Sequence, residues 1–258
     1  MTRAGFTLAA LAGCCVAGCS AGPLEVATLM PQNLLDGLVA HWAFDEGVGT
    51  VADDSSGNAR TGAIAGPGWS WLPNGQFGSA LHFSGVDYVS VGAFPRATAS
   101  YTVAAWVLVQ VSELGAPIAN LISTEMIGGG WSLYGSLSVP PGTYSFRYED
   151  NAVTADYAQA TCDVADGSIC LDPGVWTHLA AVVDAGSLTL YVNGVVSTVS
   201  STMGPILPGS GTLYLGRSAE LTPTFPLTGA LDDVAIWSRA LVPAEIQELV
   251  AAAVPAPM

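Results

Sequence analysis

Residues 188–199 read LTLYVNGVVSTV, and this stretch predicts two short β-strands joined by a tight hairpin. The flanking runs, 188–192 and 195–199, are rich in β-branched and aromatic residues, as strands usually are. Between them, Asn193-Gly194 is a pair that readily adopts the two positive φ angles of a type I′ turn, the turn that joins antiparallel strands. The stretch therefore predicts antiparallel β-structure.

Similar short runs recur along the chain, each bounded by Gly, Pro, Asn or Asp. One helix is predicted over 243–253, because Pro243 suits a first helical turn and Pro255 follows the apolar run. About a dozen strands and one short helix predict an all-β, two-sheet antiparallel sandwich. The other predicted strands are 37–44, 80–83, 87–91, 101–109, 119–124, 131–135, 143–149, 176–183, 212–216 and 230–237.

The charge of the chain excludes some partners. Its 258 residues include 21 Asp and Glu against six Arg and no Lys, for a formal net charge of −15. A polyanionic phosphate backbone would be repelled, so nucleic-acid binding is excluded, and a peripheral helix on anionic lipid is disfavoured. Half of the residues are apolar, which is enough for a sizeable core.

The first residues predict export and lipid anchoring. Arg3 and the apolar run after it have the length of a signal peptide, not of a spanning helix. Val16-Ala17-Gly18-Cys19 resembles a bacterial lipobox, and the same pattern ending at Cys14 is the alternative. The prediction is a signal peptide over 1–18, a tether over 19–35, the domain over 36–253 and a tail over 254–258. Ser20 in place of an Asp favours the outer membrane or cell surface.

Two further cysteines, Cys162 and Cys170, remain after removal of the signal peptide and lipidation of Cys19. Exported proteins fold in an oxidising compartment. The sequence therefore predicts a disulfide between Cys162 and Cys170 around a short loop. A zinc site is disfavoured because two cysteines lack the remaining ligands.

Several motifs in a fixed order resemble one family. Those motifs are WAFDEGVG (42–49), GQFGSALHFSG (75–85), YTVAAWV (101–107), WTHLA (176–180), LYVNG (190–194) and GALDDVAIWSRAL (229–241). They resemble the laminin-G-like domain of the concanavalin A-like lectin/glucanase superfamily, over nearly all of the chain after the tether. The resemblance implies a jelly roll, a fold that carries lectins, glycosidases and adhesion modules.

The resemblance also implies a structural calcium ion. Related domains often hold one between an Asp-rich loop and the acidic residue of the last strand, which here are Asp54 and Asp232. Asn58 and Asp45 are possible further ligands, because calcium takes carboxylate and amide oxygens. The alternative is that the loop around Asp54 is a plain Asx-turn.

The expected function is that of a non-catalytic binding module for carbohydrate or a surface glycoprotein. The Glu-x-Asp-x-x-Glu run of jelly-roll glycosidases is absent from the sequence, so no catalytic residues are predicted. Exposed aromatic rings would be needed to stack on sugars, and Trp131, Tyr134 and Tyr148 are the candidates. The alternatives are an adhesion domain without a discrete ligand site and, less favoured, a divergent glycosidase.

Overall fold

The computed structural model describes residues 32–95, 100–110, 118–124, 130–136, 143–149, 155–160, 174–200, 210–219 and 226–257. Within these ranges two antiparallel eight-stranded sheets form a sandwich, which confirms the predicted all-β jelly-roll class. No helix in the described part of the chain is long and apolar enough to cross a membrane.

Sheet 1 contains the first and the last strands of the domain. Its strands run in the spatial order β14-β13-β12-β7-β16-β5-β4, and β1 also pairs with β16. They are β1 (Leu38–Trp42), β4 (Ser70–Leu72), β5 (Ala80–Ser84), β7 (Tyr101–Val109), β12 (Thr177–Asp184), β13 (Ser187–Val192), β14 (Val195–Ser200) and β16 (Thr228–Trp237).

Sheet 2 covers the other side of the sandwich. Its strands run in the spatial order β11-β10-β9-β8-β15-β6-β3-β2. They are β2 (Val51–Ala52), β3 (Gly62–Ala65), β6 (Tyr88–Pro95), β8 (Ile118–Thr124), β9 (Trp131–Ser136), β10 (Thr143–Glu149), β11 (Ala155–Ala160) and β15 (Ser210–Leu215).

The main core lies between the two sheets. Alternate residues of each strand point inward, as the pleat requires. In β7 the side chain of Val107 is fully buried there, and so are the aromatic rings of Trp42 and Phe83. Leu213 and Leu215 fill the same core from sheet 2.

A second apolar cluster covers the outer face of sheet 1. The helices α1 (Gln32–Leu35) and α2 (Pro243–Ala251) contribute Leu34, Ile246 and Leu249 to it. They pack against outward-facing residues of the sheet, including Ala104 and Trp237. Because both faces of sheet 1 are buried, its strands read as continuous apolar runs and not as an alternating pattern.

The sequence predicted most strands within one or two residues, and β7 matches its predicted range of 101–109. The hairpin after β13 has φ angles of 48° at Asn193 and 78° at Gly194, as expected for a type I′ turn. Four strands were not predicted. β2, β3 and β4 have four residues or fewer and carry little pattern, whereas the six-residue β11 was missed despite its length.

The folded domain extends beyond both predicted boundaries. Leu34 belongs to the predicted tether, yet it is buried and its carbonyl accepts a 2.6 Å hydrogen bond from Trp237 Nε1. Val254 belongs to the predicted tail, yet it is buried and its amide donates to Asp233. Residues on either side of the predicted range 36–253 therefore contribute to the packing of the domain.

Candidate functional site

Asp54 organises the loop that follows β2 through backbone hydrogen bonds. Its two carboxylate oxygens accept bonds from the amides of His41 at 3.0 Å, Ser56 at 2.9 Å and Arg60 at 2.8 Å. Burial works against ionisation, but these donors hold the pKa of Asp54 below its usual value. The Asp54 carboxylate is thus already satisfied by protein donors, as in an Asx-turn.

Asn58 ties the same loop to the first strand. Its side-chain nitrogen donates to the carbonyl of Leu38 at 2.9 Å and to that of Val39 at 3.1 Å. The amide of Asn58 therefore serves as a structural link between the loop and β1.

Asp45 and Asp232 approach a different loop, residues 75–79. Asp45 Oδ1 accepts the amide of Ser79 at 2.7 Å, and Asp232 Oδ2 accepts the amide of Phe77 at 2.8 Å. Asp232 is fully buried, and its Oδ1 has no partner among the described residues. Burial, together with the nearby charges of Asp233 and Asp45, raises the pKa of Asp232 to about 7, although the Phe77 amide opposes this rise.

The four residues predicted as calcium ligands therefore fall into two groups. The oxygens of Asp54 accept three amides, whereas Asp232 keeps one oxygen without a partner among the described residues, so Asp232 is the better placed of the two to hold an ion. Asp45 and Asp232 fit better, because both accept amides of the 75–79 loop and Oδ1 of Asp232 is a buried oxygen without a partner among the described residues. Among the described residues, no three His, Cys, Asp or Glu side chains gather to hold a metal.

Trp131 is not the exposed sugar platform that the sequence suggested. It is 4% exposed and stacks on Tyr101, with ring centroids 6.0 Å apart and planes at 28°. Its place at the start of β9 turns the ring into the core, which sequence position alone could not reveal. The side chains of Tyr134 and Tyr148 lie outside the described residues, as do Cys14, Cys19, Cys162 and Cys170.

The structure brings together a different set of aromatic residues on the outer face of sheet 2. In β6 and β15, Val89 and Leu215 point into the core, so the neighbouring Tyr88 and Tyr214 point outward. The two rings meet edge to face, with centroids 5.8 Å apart at 65°. Both side chains are only partly buried.

Arg217 completes this group, which we call the tyrosine–arginine cluster (Tyr88, Tyr214 and Arg217). Its guanidinium carbon lies 4.5 Å from the centroid of the Tyr88 ring and 4.8 Å from that of Tyr214. Both distances are within the range of cation–π attraction. Nε of Arg217 donates to the carbonyl of Ser218 at 3.1 Å, which further fixes the side chain.

Exposed and partly exposed side chains of this face lie on β3, β6 and β15. Tyr214 pairs with Ser90, which is partly exposed, and Ser90 pairs in turn with Ala63, which is exposed. On the other side of Tyr214, Ser123 of β8 is buried. The hydroxyls of Ser90, Tyr88 and Tyr214 have no hydrogen-bond partner among the described residues, and the three side chains are partly exposed.

The five neighbouring strands β9, β8, β15, β6 and β3 contain no Asp or Glu. The chain as a whole has 21 acidic residues and a net charge of −15. These five strands therefore carry no acidic side chain, although β10 and β11 of the same sheet contain Glu149 and Asp156. The sequence alone does not reveal this cluster, because Tyr88 and Tyr214 are far apart in the chain and only strand register brings them together.

A family model described as the concanavalin A-like lectin/glucanases superfamily (Laminin_G_3) matches residues 83–247. Domain 4 of AbnA, an extracellular GH43 arabinanase from Geobacillus stearothermophilus solved with arabinotriose, has a similar structure. Its TM-score is 0.63 at 22% identity, over 83% of this chain and 98% of that one.

Toxin binding domains share the fold as well. The binding domain of Paraclostridial Mosquitocidal Protein 1 has a TM-score of 0.66 at 19% identity, over 84% of this chain and 52% of that one. The binding domain of botulinum neurotoxin DC, solved in complex with SialylT, has a TM-score of 0.63 at 16% identity, with the same coverage. This chain spans about half of those toxin domains. Because the family model matches more than half of the chain, the protein belongs to the Laminin_G_3 family of the concanavalin A-like lectin/glucanase superfamily.

Proposed function

We propose that this protein is a non-catalytic, lipid-anchored carbohydrate-binding module whose ligand lies on the outer face of sheet 2. The observation that carries the proposal is the tyrosine–arginine cluster. Two partly exposed aromatic rings beside unpaired hydroxyls are what a sugar needs, since its C–H faces stack on rings while its hydroxyls require polar partners.

The location of the cluster supports this proposal. The outer face of sheet 1 is covered by α1, α2 and the segment around Val254. In contrast, the part of the outer face of sheet 2 around the cluster carries a serine, two tyrosines and an arginine that are all partly exposed. The relatives add support of a general kind, because two of them were solved in complex with arabinotriose and with SialylT.

The chemistry of the same face supports binding without catalysis. Glycosidases use two carboxyl groups on either side of the scissile bond. The five strands β3, β6, β8, β9 and β15 supply no carboxylate. Elsewhere in the described part of the chain, the buried carboxylates of Asp87 and Asp233 are engaged by protein donors, and Asp232, which keeps one unpaired oxygen, lies in sheet 1 and away from this face.

The proposal includes export and lipid anchoring, and the cysteines provide the tests of both. Lipidation of Cys19 predicts that Cys19→Ser moves the protein from the membrane fraction to the soluble fraction and removes acyl label. The Cys162–Cys170 disulfide predicts a linked peptide in mass spectrometry of unreduced protein. Retained acyl label in the variant, or free thiols at both positions, would contradict these two parts of the proposal.

The proposal keeps a structural calcium ion but assigns it a different ligand set from the one first predicted. Asp232 and Asp45 would hold it, with oxygen ligands of the kind that calcium prefers. The bound ion would supply positive charge against the orphan Oδ1 of Asp232, and thereby offset the cost of burying this carboxylate. The role is structural and lies apart from the ligand face.

A glycan array probed with the purified full chain tests the proposed function. We expect binding to at least one class of glycan, and we expect Tyr88→Ala and Tyr214→Ala each to weaken it by about tenfold or more. Trp71→Ala is the matched control, since Trp71 is a partly buried aromatic residue at the edge of sheet 1. A folded protein that binds no glycan, or equal losses in all three variants, would contradict the proposal.

A further inference from the structure

Arg217 presents two terminal nitrogens that no described residue uses. Its Nε is bound to the Ser218 carbonyl, and its guanidinium carbon lies close to the rings of both Tyr88 and Tyr214. Within the described ranges, Nη1 and Nη2 have no hydrogen-bond partner. A partly exposed guanidinium with both terminal nitrogens available is a ready donor fork.

The two tyrosines reduce the cost of using this fork. An arginine side chain normally loses rotamer freedom when it binds a ligand. Here the ring contacts at 4.5 Å and 4.8 Å, together with the Nε bond, hold the guanidinium before any ligand arrives. A preorganised arginine therefore retains more of its binding energy for the ligand.

The charge distribution of the face points to the same kind of ligand. The acidic residues of this −15 chain are absent from the five strands on which the cluster and its surroundings lie. Asp87, which directly precedes β6, is fully buried and accepts bonds from Gly68 and Ser84. An anionic ligand would thus meet the positive charge of Arg217 and no exposed carboxylate on these strands.

We propose that Arg217 makes this site selective for a carboxylate-bearing sugar, such as a uronic acid residue of a polysaccharide. The inference rests on the proposed function. A carboxylate presents two coplanar oxygens that match the arginine fork and accept two parallel N–H···O bonds. The C–H groups of the sugar then contact the parts of the Tyr88 and Tyr214 rings that Arg217 leaves uncovered, while its hydroxyls reach Ser90 and the phenols.

Matched pairs of glycans test this selectivity. We would measure binding of the full chain to polygalacturonate, alginate, glucuronoxylan and hyaluronan, and to the carboxyl-reduced form of each, by calorimetry. Reduction removes the charge and keeps the sugar backbone. We expect at least one acidic polymer to bind about tenfold or more tightly than its reduced form, with an affinity that falls as salt rises.

Three arginine variants assign the effect to Arg217. We expect Arg217→Gln to bind the acidic and reduced forms alike, and Arg217→Lys to fall between it and the wild type, because lysine keeps the charge but loses the fork. Arg60→Gln is the matched control, since Arg60 stacks on Phe94, a core residue, at 5.3 Å. Unchanged melting temperatures of the variants would show that their folding is intact.

The outcomes separate the two proposals. Equal binding to both members of every pair, or binding to neutral glycans alone, would overturn the carboxylate selectivity and leave the carbohydrate-binding function standing. Preference for a sulfated glycan over all four uronates would overturn it in the same way. Absence of binding to any glycan by the folded protein would overturn both proposals.

Discussion

His41 and Asp233 form a buried pair that joins the first strand to the last, with Nε2 of the histidine 2.5 Å from Oδ1 of the aspartate. Both side chains are almost fully buried. The other oxygen of Asp233 accepts the amide of Val254 at 2.9 Å. A β-bulge in β16, where Asp233 has a φ angle of 49°, turns this carboxylate toward both partners.

We expect Asp233→Ala to lower the free energy of unfolding by about 3–5 kcal/mol, because it leaves the buried His41 ring without its hydrogen-bond partner. The control Asp184→Ala, which removes an exposed carboxylate bound to Ser100, should cost less than about 1 kcal/mol. Denaturant unfolding measures both. Hydrogen exchange at Val254 should also speed up in the Asp233 variant, and equal losses in the two variants would contradict a special role for this pair.

Variants of Asp54 and of Asp232 should differ in their response to calcium. We expect calcium to raise the melting temperature of the wild type and of Asp54→Asn, and we expect Asp232→Asn to abolish the shift. Asp54→Asn should still lower stability by about 1–3 kcal/mol, since it weakens bonds to three amides. Calorimetry with and without EDTA reads out both effects. A calcium shift lost in both variants would restore the ligand set first predicted, whereas a shift kept in Asp232→Asn would contradict both ligand sets.

The stability of the fold should fall in mild acid partly through His178. Burial lowers the pKa of His178 to about 3, so the folded protein binds fewer protons there than the unfolded chain does between pH 6.5 and pH 3. Its contribution is present above pH 6.5 and decreases as pH falls, by at most about 1.4 kcal/mol per pH unit.

Replacement of His178 isolates its contribution to the pH dependence of the unfolding free energy. We expect His178→Gln to flatten the curve of unfolding free energy against pH between 6.5 and about 4. Carboxylates whose pKa is lowered, such as Asp54 and Glu245, titrate in both proteins and cancel in the difference. Parallel curves for wild type and variant across this range would refute the prediction.

Two glycines of sheet 2 should differ in their tolerance of a methyl group. A Cβ at Gly62 would lie 2.3 Å from Cγ1 of Val89, whereas a Cβ at Gly92 would meet nothing within 4 Å. We therefore expect Gly62→Ala to cost about 1–3 kcal/mol by overpacking, and Gly92→Ala to be close to neutral. Thermal unfolding of both variants is the measurement, and similar melting temperatures would contradict the packing of β3 on β6.

The fold was predictable because local patterns specify most strands. β7 is a nine-residue apolar run, and the Asn193-Gly194 turn follows from backbone preferences alone. Short strands such as β3 and β4 were not predicted, since three or four residues are too few to show an alternating or apolar pattern. These strands are specified by their neighbours, which a linear sequence does not display.

The candidate site was far less predictable. Trp131 is a candidate in the sequence because it lies near a loop, yet the pleat of β9 turns it inward. Tyr88 and Tyr214 carry no such signal, although register places them side by side with Arg217. Asp54 is of the expected residue type, but three amides occupy its oxygens. In each case the outcome depends on long-range pairing that residue identity does not encode.

The covering of sheet 1 by α1 and by the segment around Val254 places both flanks of the domain on the same side of the sandwich. Both the residues that lead into the domain and those that leave it run across the outer face of that sheet. Leu34 and Val254 therefore lie on the side of the sandwich opposite Tyr88, Tyr214 and Arg217. A rigid support coupled close to Leu34 or Val254 should therefore leave Tyr88, Tyr214 and Arg217 facing the solution.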